Sequence, residues 1–490
     1  MNYITHKNSV VLYWDLPDNY KAGDKFTVLL NGEEIGQTEK CHFKTQDLNR
    51  GAEYSFEVLG VGKITAKLQP EKNRIDISKP PYNATGDGKT LNTRAIQQAI
   101  NDCKAGECVY IPEGDFMTGS LYLHSDMELY LEKGAILHGT TCVEDYTPKI
   151  KSRFEGIEMM CYAALLNVGE LDRAKGITCQ NVKITGEGMI CGGGRELSDN
   201  VIALEFELMK DELAKMGDEI KECETSWTIP GRARPRLVNI SCAKNVEISG
   251  VTIAYGPCWN VHMIYSDNIV TYGCEFHSKN VHNGDGWDPD SSTNCTLFGS
   301  EFYTGDDSVA IKSGKNPEGN IINKPSEHIR VFDCISHSGH GITIGSEMSG
   351  GINDVKIWNC DVNNSMFGVE IKGTRKRGGY VRNVSVRNCE VGRIIFHSVP
   401  YNDDGEGSKV PPVFENCLFE NIKISAVKQE DDGALTPCEA IEVAGFDEEG
   451  HFVKNVKFKN ICLDNGKGSQ RQTIYLQCCE GVSFENIYAR

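Results

Sequence analysis

Five aspartates lie within 23 positions of one another in the stretches NGDGWDPD (283–290) and YTGDDSVAIKSG (303–314). An aspartate beside a glycine usually stabilises a turn. Turn capping accounts for one aspartate per turn, however, and not for the adjacent pair Asp306 and Asp307. Several carboxylates brought together need a bound cation or a retained proton, and a retained proton is what acid–base hydrolysis of a glycoside requires. The residues alone leave both kinds of site open.

A repeated eight-residue unit predicts the architecture that positions these aspartates. Its fifth position is always Gly, Asp or Asn, which best tolerate a left-handed turn. Its sixth position holds Cys274, Cys334, Cys360 and Cys389, which we expect to stack as small apolar residues. The copies superpose without gaps and start 23 to 34 residues apart where the register is unbroken: VEISGVTI (246–253), IVTYGCEF (269–276), CTLFGSEF (295–302), IRVFDCIS (329–336), VKIWNCDV (355–362), VSVRNCEV (384–391), VKFKNICL (456–463) and VSFENIYA (482–489).

This repeat predicts an all-β chain that forms a right-handed parallel β-helix, in which successive turns, or coils, are about 4.8 Å apart. Residues 80–490 are assigned to this domain. The segment NTRAIQQAINDC (92–103) predicts a short amphipathic helix near its start. Residues 200–222 have helical periodicity, and we expect them either to cover a flank of the β-helix or to form a wall of the binding groove.

Residues 1–75 have a different pattern, with short alternating strands such as KFTVLLNGEEIG and EYSFEVLGV separated by polar turns. The pattern predicts a small β-sandwich. Together with Trp14 it resembles a fibronectin type III module.

The register of the repeats gathers the candidate chemical groups on one face. Asp285 and Asp306 fall at equivalent places in neighbouring coils, and Asp307 is adjacent. The next coil supplies His340 in SGHGITIGSE, and the coil after it supplies Lys372 in EIKG. A lone histidine is more often structural than functional, so both readings of His340 remain open on these grounds.

Four stretches are similar, in order and approximate spacing, to the four signatures of glycoside hydrolase family 28, the polygalacturonases. They are NGDGWDPDSS, TGDDSVAIKSG, SGHGITIGSE and EIKG. The segments YNATGDGKTLNTRAIQQAI, IPEGDFMTGSLYLHSDMELYLEKGAILHGT and RPRLVNISCAKNVEISGVTIAYGPCWNVH also resemble bacterial members, so the likeness covers residues 80–490. It implies an inverting hydrolase in which Asp306 is the general acid, kept protonated by neighbouring negative charge, and Asp285 and Asp307 activate water. It further implies substrate-binding roles for a set of cationic and aromatic residues: His340, Lys372, Lys312, Arg377 and Tyr401.

The sequence departs from the family pattern at two positions. The usual Asn-Thr-Asp is Asn283-Gly284-Asp285, which keeps the aspartate. The usual Arg-x-Lys is Glu370-Ile371-Lys372, which puts an acid in place of a ligand for the substrate carboxylate. Glu370 would either repel a uronate, which favours a neutral sugar such as rhamnose beside the cleaved bond, or pair with Arg375 or Arg377. The run TRKR (374–377) is either a positive edge of the site or a solvated turn.

Composition limits the partners. The net charge of −18 argues against nucleic acid and anionic lipid, although a local basic pocket can still bind an anionic sugar. No apolar run reaches the roughly 20 residues of a membrane span. The twenty cysteines have no zinc-ligand spacing, and we expect them to be reduced. The first residues lack a secretory pattern, so we expect a cytoplasmic protein, or a secreted or periplasmic one if a leader has been removed.

The predicted function is therefore hydrolysis of α-linked galacturonate from pectic oligosaccharides, with exo action and without a metal or other cofactor. One alternative is a galacturonohydrolase that acts on rhamnogalacturonan. Others are a calcium-dependent pectate lyase, which shares the β-helix, and a non-catalytic pectin-binding β-helix.

Overall fold

The computed structural model describes residues 1–21, 23–223, 225–399, 405–464 and 473–489. The chain divides into two compact units, one formed by Met1–Arg74 with Gly106–Cys108 and one formed by Ile75–Ala105 with Val109–Arg490.

The first unit contains two antiparallel sheets, which confirms the predicted small β-sandwich. Trp14 is buried and meets the ring of Phe26 edge to face at 5.3 Å. Its assignment to the fibronectin type III class remains a prediction. One sheet contains Asn2–His6, Ser9–Tyr13 and His42–Lys44, and the other contains Glu33–Thr38, Phe26–Leu30, Glu53–Val58 and Gly62–Lys67.

The second unit is a parallel β-helix with three ladders of strands. Two ladders lie side by side in one sheet of 23 strands. The first contains Asn73–Asp76, Glu107–Ile111, Glu128–Leu131, Cys179–Gly186, Ala243–Ser249, Asp267–Tyr272, Thr293–Phe298, Ser326–Phe332, Ile352–Trp358, Tyr380–Arg387 and Cys479–Glu480. The second contains Gly114–Thr118, Ala135–Gly139, Met189–Cys191, Thr252–Ala254, Glu275–His277, Glu301–Tyr303, Ile335–Ser338, Asp361–Val362 and Glu390–Val391. Three long strands turn the corner and belong to both: Val413–Ile424, Val453–Leu463 and Ser483–Ala489.

The third ladder, which we call the groove sheet, has eleven parallel strands. In spatial order they are Leu121–Leu123, Leu166–Val168, Val238–Ser241, Val261–Ile264, Trp287–Asp290, Asp307–Ile311, Gly341–Ile344, Val369–Gly373, Ile394–Ser398, Ile441–Ala444 and Ile474–Gln477. Asp307 and Lys372 lie on its middle strands, Asp285, Asp306 and His340 lie just before them, and Lys312 directly follows Asp307–Ile311.

The fifth position of the repeat forms the corner between the first two ladders. Its residues have left-handed backbones, with φ of 76° at Gly250 and 54° at Asn359. In the later coils the side-chain amides form a continuous ladder of hydrogen bonds, as in Asn421 Nδ2 to Asn388 Oδ1 (3.0 Å) and Asn460 Nδ2 to Asn421 Oδ1 (2.9 Å). The predicted corner is confirmed, and Asn421 adds a coil that the eight-residue pattern missed.

The interior of the β-helix is a continuous apolar core of Val, Ile, Leu and Phe side chains, which alternate with outward residues along each strand. Cys274, Cys334, Cys360 and Cys389 are buried in it, as expected from their column. All twenty cysteines are free thiols. The predicted helix spans Thr93–Asp102 and buries Ile96 and Ile100 against this core.

Excursions from the coils carry the remaining elements. The predicted helical segment begins earlier than residue 200 and contains the helices Gly194–Leu208 and Lys210–Met216, the 3-10 turn Gly217–Glu222 and the short helix Thr228–Gly231. The other elements are the 3-10 turn Val143–Tyr146, the hairpins Ile150–Phe154 with Ile157–Cys161 and Val427–Gln429 with Leu435–Pro437, and the helix Glu318–Ile322. Among the described residues, no helix is both long and apolar enough to cross a bilayer.

Candidate active site

The groove sheet brings the predicted cluster together because its strands are parallel and in register. Asp307 pairs with Gly341, and Thr343 of that strand pairs with Glu370 of the next. Asp285 and Lys372 are 87 positions apart in sequence but belong to coils whose strands are only three spacings of about 4.8 Å apart.

A cavity of about 450 Å³ lies over these strands. Six of the predicted site residues line it: Asp285, Asp306, Asp307, His340, Lys372 and Lys312. Arg377 is fully buried instead, where it donates from Nη1 to Asn316 Oδ1 (2.6 Å) and from Nε to the Ser346 carbonyl (3.1 Å). Its contacts are those of a residue that supports the pocket wall at Ser346. Tyr401 lies outside the described residues.

Asp306 and His340 form the central ion pair, with 2.9 Å between His340 Nδ1 and Asp306 Oδ1. Burial opposes the charge on both groups, but their mutual attraction outweighs it. The pKa of Asp306 is therefore held well below its usual range, and that of His340 is raised to about 11. This differs from the expectation that negative neighbours keep Asp306 protonated. These opposite shifts place the shared proton preferentially on the imidazole.

The environment of Asp285 raises the pKa of its carboxyl, whereas that of Asp306 lowers it. Burial, assisted by the charges of Asp306 and Asp307, raises its pKa to about 7 although Lys312 Nζ lies 3.1 Å from Oδ2. Lys312 also lies 3.6 Å from Glu347 and 3.7 Å from the centre of the Trp259 ring. Lys312 thus links Asp285 to Glu347 and Trp259, which also line the pocket.

Asp307 is held by donors from the next two strands. Thr343 Oγ1 donates to its Oδ1 at 2.6 Å, and Lys372 Nζ lies 3.9 Å from its Oδ2. His340 Nδ1 is 3.6 Å from Oδ1. These contacts orient a carboxylate beside the Asp306–His340 pair, where it can accept a proton from water.

The same groups have the spacing of a possible metal site. Ligand atoms of Asp306, Asp307 and His340 all lie within 4.8 Å of one another. His340 Nδ1 is the ring nitrogen that contacts both aspartates, so a cation bound through it would replace the proton shared with Asp306.

A model of the family described as glycosyl hydrolases family 28 matches residues 149–479. The chain belongs to this family. It is a glycoside hydrolase.

Relatives within and around family 28 agree with this. The chain is 26% identical to an exo-poly-alpha-D-galacturonosidase of Dickeya chrysanthemi, over 99% of this chain and 89% of that protein. A family 28 exopolygalacturonase of Yersinia enterocolitica matches 98% of this chain and 94% of its own, with a TM-score of 0.79 and 24% identity. A hyperthermoactive exopolygalacturonase of Thermotoga maritima matches 86% and 92%, with a TM-score of 0.69 and 27% identity. The right-handed parallel β-helix predicted from the repeat is confirmed.

The acid at the family 28 arginine position does not face the pocket as a free charge. Glu370 is 1% exposed, and its two oxygens contact His397 Nε2 (2.6 Å) and Lys372 Nζ (3.0 Å). Burial opposes its charge, but these two partners lower its pKa to about 2. Pairing with Arg375 or Arg377 was the wrong expectation, because Arg375 pairs with Glu448. Because Glu370 is paired in this way, it does not repel a uronate as a free charge would. The hypothesis of a neutral sugar beside the cleaved bond therefore loses its basis.

The sequence analysis missed several residues that line the pocket: Glu155, Trp259, Glu347, His397 and Asp431. His397 could have been found, because it pairs in register with Lys372 one coil later. Glu155 and Asp431 belong to hairpin turns outside the repeat, where no periodic pattern marks them.

Proposed function

We propose that this family 28 hydrolase is an exo-acting polygalacturonase that removes galacturonate units from the end of pectic oligosaccharides with inversion. The observation that carries the proposal is a hairpin, which we call the closing hairpin, formed by Ile150–Phe154 and Ile157–Cys161. It places a wall across one end of the pocket.

The closing hairpin leaves the coil that contains Leu166–Val168 and reaches the residues that follow Asp307–Ile311. The Lys315 backbone N–H donates to the Gly156 carbonyl at 3.0 Å, and the Glu158 backbone N–H donates to Glu318 Oε1 at 3.2 Å. Three groove-sheet strands lie between these two coils, so the hairpin spans roughly 20 Å. A sugar chain cannot lie along the part of the groove sheet that the hairpin covers, so the hairpin closes the pocket on that side.

A buried ion pair fixes the hairpin. Arg153 Nη1 donates to Asp290 Oδ1 at 2.7 Å, and its guanidinium lies over the ring of Tyr265. Both charged groups are almost fully buried. Because a buried pair is costly to break, this wall is a rigid part of the site.

The mechanism follows from the two carboxylate environments. The Asp306–His340 pair supplies one proton, which passes through Asp306 to the leaving glycosidic oxygen. Asp307, held by Thr343 and Lys372, accepts a proton from the water that attacks the anomeric carbon from the opposite face, with Asp285 beside it. Lys312 and Lys372 give the pocket local positive charge for a uronate within a chain of net charge −18.

Product analysis tests the proposal. Early digestion of polygalacturonate should release monomers or dimers, seen by anion-exchange chromatography, with little change in viscosity. Activity should persist in EDTA and give no unsaturated product, since a calcium-dependent lyase would do the opposite. A rapid loss of viscosity with mid-sized fragments would contradict exo action.

A further inference from the structure

We infer that Glu155, at the tip of the closing hairpin, is a specificity-determining residue that accepts a hydrogen bond from the free C4 hydroxyl of the terminal sugar. The inference rests on the proposed function and adds the group by which the closed end of the pocket recognises the end of a chain. Polygalacturonate is linked through O4, so this hydroxyl is free only on the sugar at the non-reducing end.

The first observation is the backbone of the hairpin turn. Glu155 and Gly156 form the two-residue turn of the closing hairpin, and both are left-handed, with φ of 43° and 74°. Such turns favour Asn and Gly, because a long side chain is strained in this conformation. A glutamate therefore stands here against the preference of the turn, which points to a role for its side chain.

The second observation is the way in which the carboxylate is held. Arg232 Nε donates to Glu155 Oε2 at 2.8 Å, and both side chains are almost fully buried. Within the described residues, Oε1 of Glu155 has no hydrogen-bond partner, although Glu155 lines the cavity. A carboxylate accepts hydrogen bonds and donates none. The pair with Arg232 therefore fixes a side chain that offers one acceptor to the pocket.

The third observation is a second acceptor in the same part of the pocket. Glu347 lines the cavity, and its buried Oε2 has no hydrogen-bond partner among the described residues. Burial raises the pKa of Glu347 against the attraction of Lys312. The negative charges of Asp290 and Glu155 add to this rise, so Glu155 and Glu347 act on the same region. A sugar at this end meets acceptor oxygens, which its hydroxyl groups can satisfy and the carboxylate of a further uronate cannot.

The fourth observation is the direction of the substrate. Counted from the coil where the closing hairpin begins, the groove-sheet strand after Asp285 comes before the strand of Asp307, and the strand after His340 comes after it. Asp285 therefore lies on the hairpin side of Asp306, whereas His340, which shares the proton of the acid, lies on the far side. Because the leaving sugar belongs on the side of the acid, the sugar that is removed lies between the aspartates and the hairpin. Its C4 hydroxyl, across the ring from the anomeric carbon, then faces the hairpin.

The test compares two substrates that differ at one hydroxyl. Trigalacturonate has a free C4 hydroxyl on its terminal sugar, and its 4-deoxy analogue lacks that group. The wild type should prefer trigalacturonate by roughly 10- to 100-fold in kcat/KM, because the analogue cannot make the hydrogen bond to a charged group. Release of digalacturonate, followed by anion-exchange chromatography, measures both reactions.

Two substitutions at Glu155 test the acceptor. Glu155→Gly removes it and suits the left-handed turn. This variant should bring kcat/KM for the two substrates to within about twofold of each other, mainly through a loss on trigalacturonate. Glu155→Gln keeps the shape and a weaker, neutral acceptor, so it should retain part of the preference.

Glu158→Gln is the matched control. Glu158 lies on the same hairpin and pairs with Lys151 at 2.9 Å and with Arg173 at 2.7 Å, outside the pocket lining. The variant makes the same chemical change as Glu155→Gln and weakens the hairpin without altering the acceptor. It should leave the preference for the C4 hydroxyl at its wild-type value.

An unchanged preference in Glu155→Gly would overturn the inference, and so would a wild type that hydrolyses both substrates equally well. An equal loss of preference in Glu158→Gln would also overturn it, because the hairpin would then act only as a wall. Loss of the preference in EDTA would show that the acceptors hold a cation instead of the hydroxyl. If the wild type releases no digalacturonate from trigalacturonate, the proposed function fails instead.

Discussion

The pKa values of the Asp306–His340 pair favour a proton on His340, although the residue expected to deliver it is Asp306. Delivery by Asp306 is still possible because the two groups are 2.9 Å apart. The proton has only one hydrogen bond to cross when a leaving oxygen reaches Asp306. Binding of a uronate raises the pKa of both groups, so the transfer to Asp306 is driven by the leaving oxygen that draws the proton onward. The pair, rather than either residue alone, is the acid.

Replacing Asp306 tests that role. Asp306→Asn keeps the shape of the side chain but cannot pass a proton, so kcat on trigalacturonate should fall by about 10²- to 10⁴-fold with little change in KM. Steady-state kinetics measures both. Asp333→Asn is the matched control, because Asp333 is a corner residue and its neighbour in the next coil, Asn359, is already an asparagine. A variant of Asp306 that keeps a tenth of the activity would contradict the assignment.

The raised pKa of Asp285 makes a prediction about stability. The folded protein holds a proton on this carboxyl up to about pH 7, whereas an unfolded aspartate loses it near pH 4. The stability that this proton contributes is complete below that lower value and is lost as the pH rises through 7. Asp285→Asn mimics the protonated form at every pH. Its melting temperature minus that of wild type should therefore become larger as the pH is raised from 5 to 8.

Asp290→Asn provides the comparison of opposite sign. The partner Arg153 outweighs burial and lowers the pKa of Asp290 to about 2. Its ionised form stabilises the fold throughout that range, so this variant should be less stable than wild type at both pH values. Thermal unfolding followed by circular dichroism checks both. The predicted direction would be refuted if Asp285→Asn became less stable relative to wild type as the pH is raised from 5 to 8.

The sequence predicted the residues whose positions repeat from coil to coil. Asp285, Asp306, Asp307, His340 and Lys372 do line one pocket, because parallel stacking brings neighbouring coils within a few strand spacings. The register differs from the predicted one, since Trp287 pairs with Val309 and Asp285 is therefore level with Asp307 instead of Asp306. The direction of the Asp306 pKa could not be predicted, because it depends on a 2.9 Å distance that a spacing pattern does not contain. The partner of Glu370 could have been predicted, because the copy of the repeat at 384–391 is followed by Ile394–Ser398, which places His397 next to Lys372.

At the scale of elements, the closing hairpin carries the exo character, and Gly156 is its tightest point. Gly156 has φ of +74°, and a Cβ at this position would clash with the Lys315 backbone nitrogen. Even alanine at this position would therefore push the turn of the closing hairpin away from the loop that contains Lys315. The helical excursion that begins at Gly194 could be predicted, as a cover for a flank or as a wall of the groove, because its periodicity is visible in sequence. A two-strand excursion of five residues per strand has no comparable signal.

Gly156→Ala should therefore loosen the closed end of the pocket. KM for trigalacturonate should rise by about tenfold, equivalent to about 1.4 kcal/mol of binding, and products longer than dimers should appear from polygalacturonate. Gly176→Ala is the matched control. Gly176 has φ of +71°, but a Cβ at this position would have nothing within 4 Å, so the control shares the backbone cost without the clash. If both variants behave alike, the hairpin does not set the product pattern.

For the whole molecule, the corner ladder of asparagines connects one coil to the next. Asn421 both donates to Asn388 and accepts from Asn460, and its φ is 57°. The repeat predicted this ladder because each coil offers the same environment to the same position. The hairpin turns lie outside that repetition, which is why the fold was more predictable than the shape of the pocket.

Asn421→Ala should destabilise the β-helix by roughly 3 kcal/mol, from two lost hydrogen bonds and the cost of a left-handed alanine. Asn421→Gly loses the same hydrogen bonds without the backbone cost and should be less harmful by about 1 kcal/mol. Chemical denaturation of the two variants beside wild type measures the difference. Equal destabilisation by alanine and glycine would show that the backbone conformation contributes nothing.

The distribution of the pocket over successive coils has a consequence for how such proteins diverge. Asp285, Asp306, His340, Lys372 and His397 each come from a separate coil. Duplication or loss of a whole coil at either end of the solenoid leaves their spacing untouched, whereas the same event between Asp285 and His397 displaces every later group by one step. Evolution can therefore lengthen or shorten the molecule freely at its ends. Within the central five coils, it can alter specificity only by point substitutions and by changes in the loops.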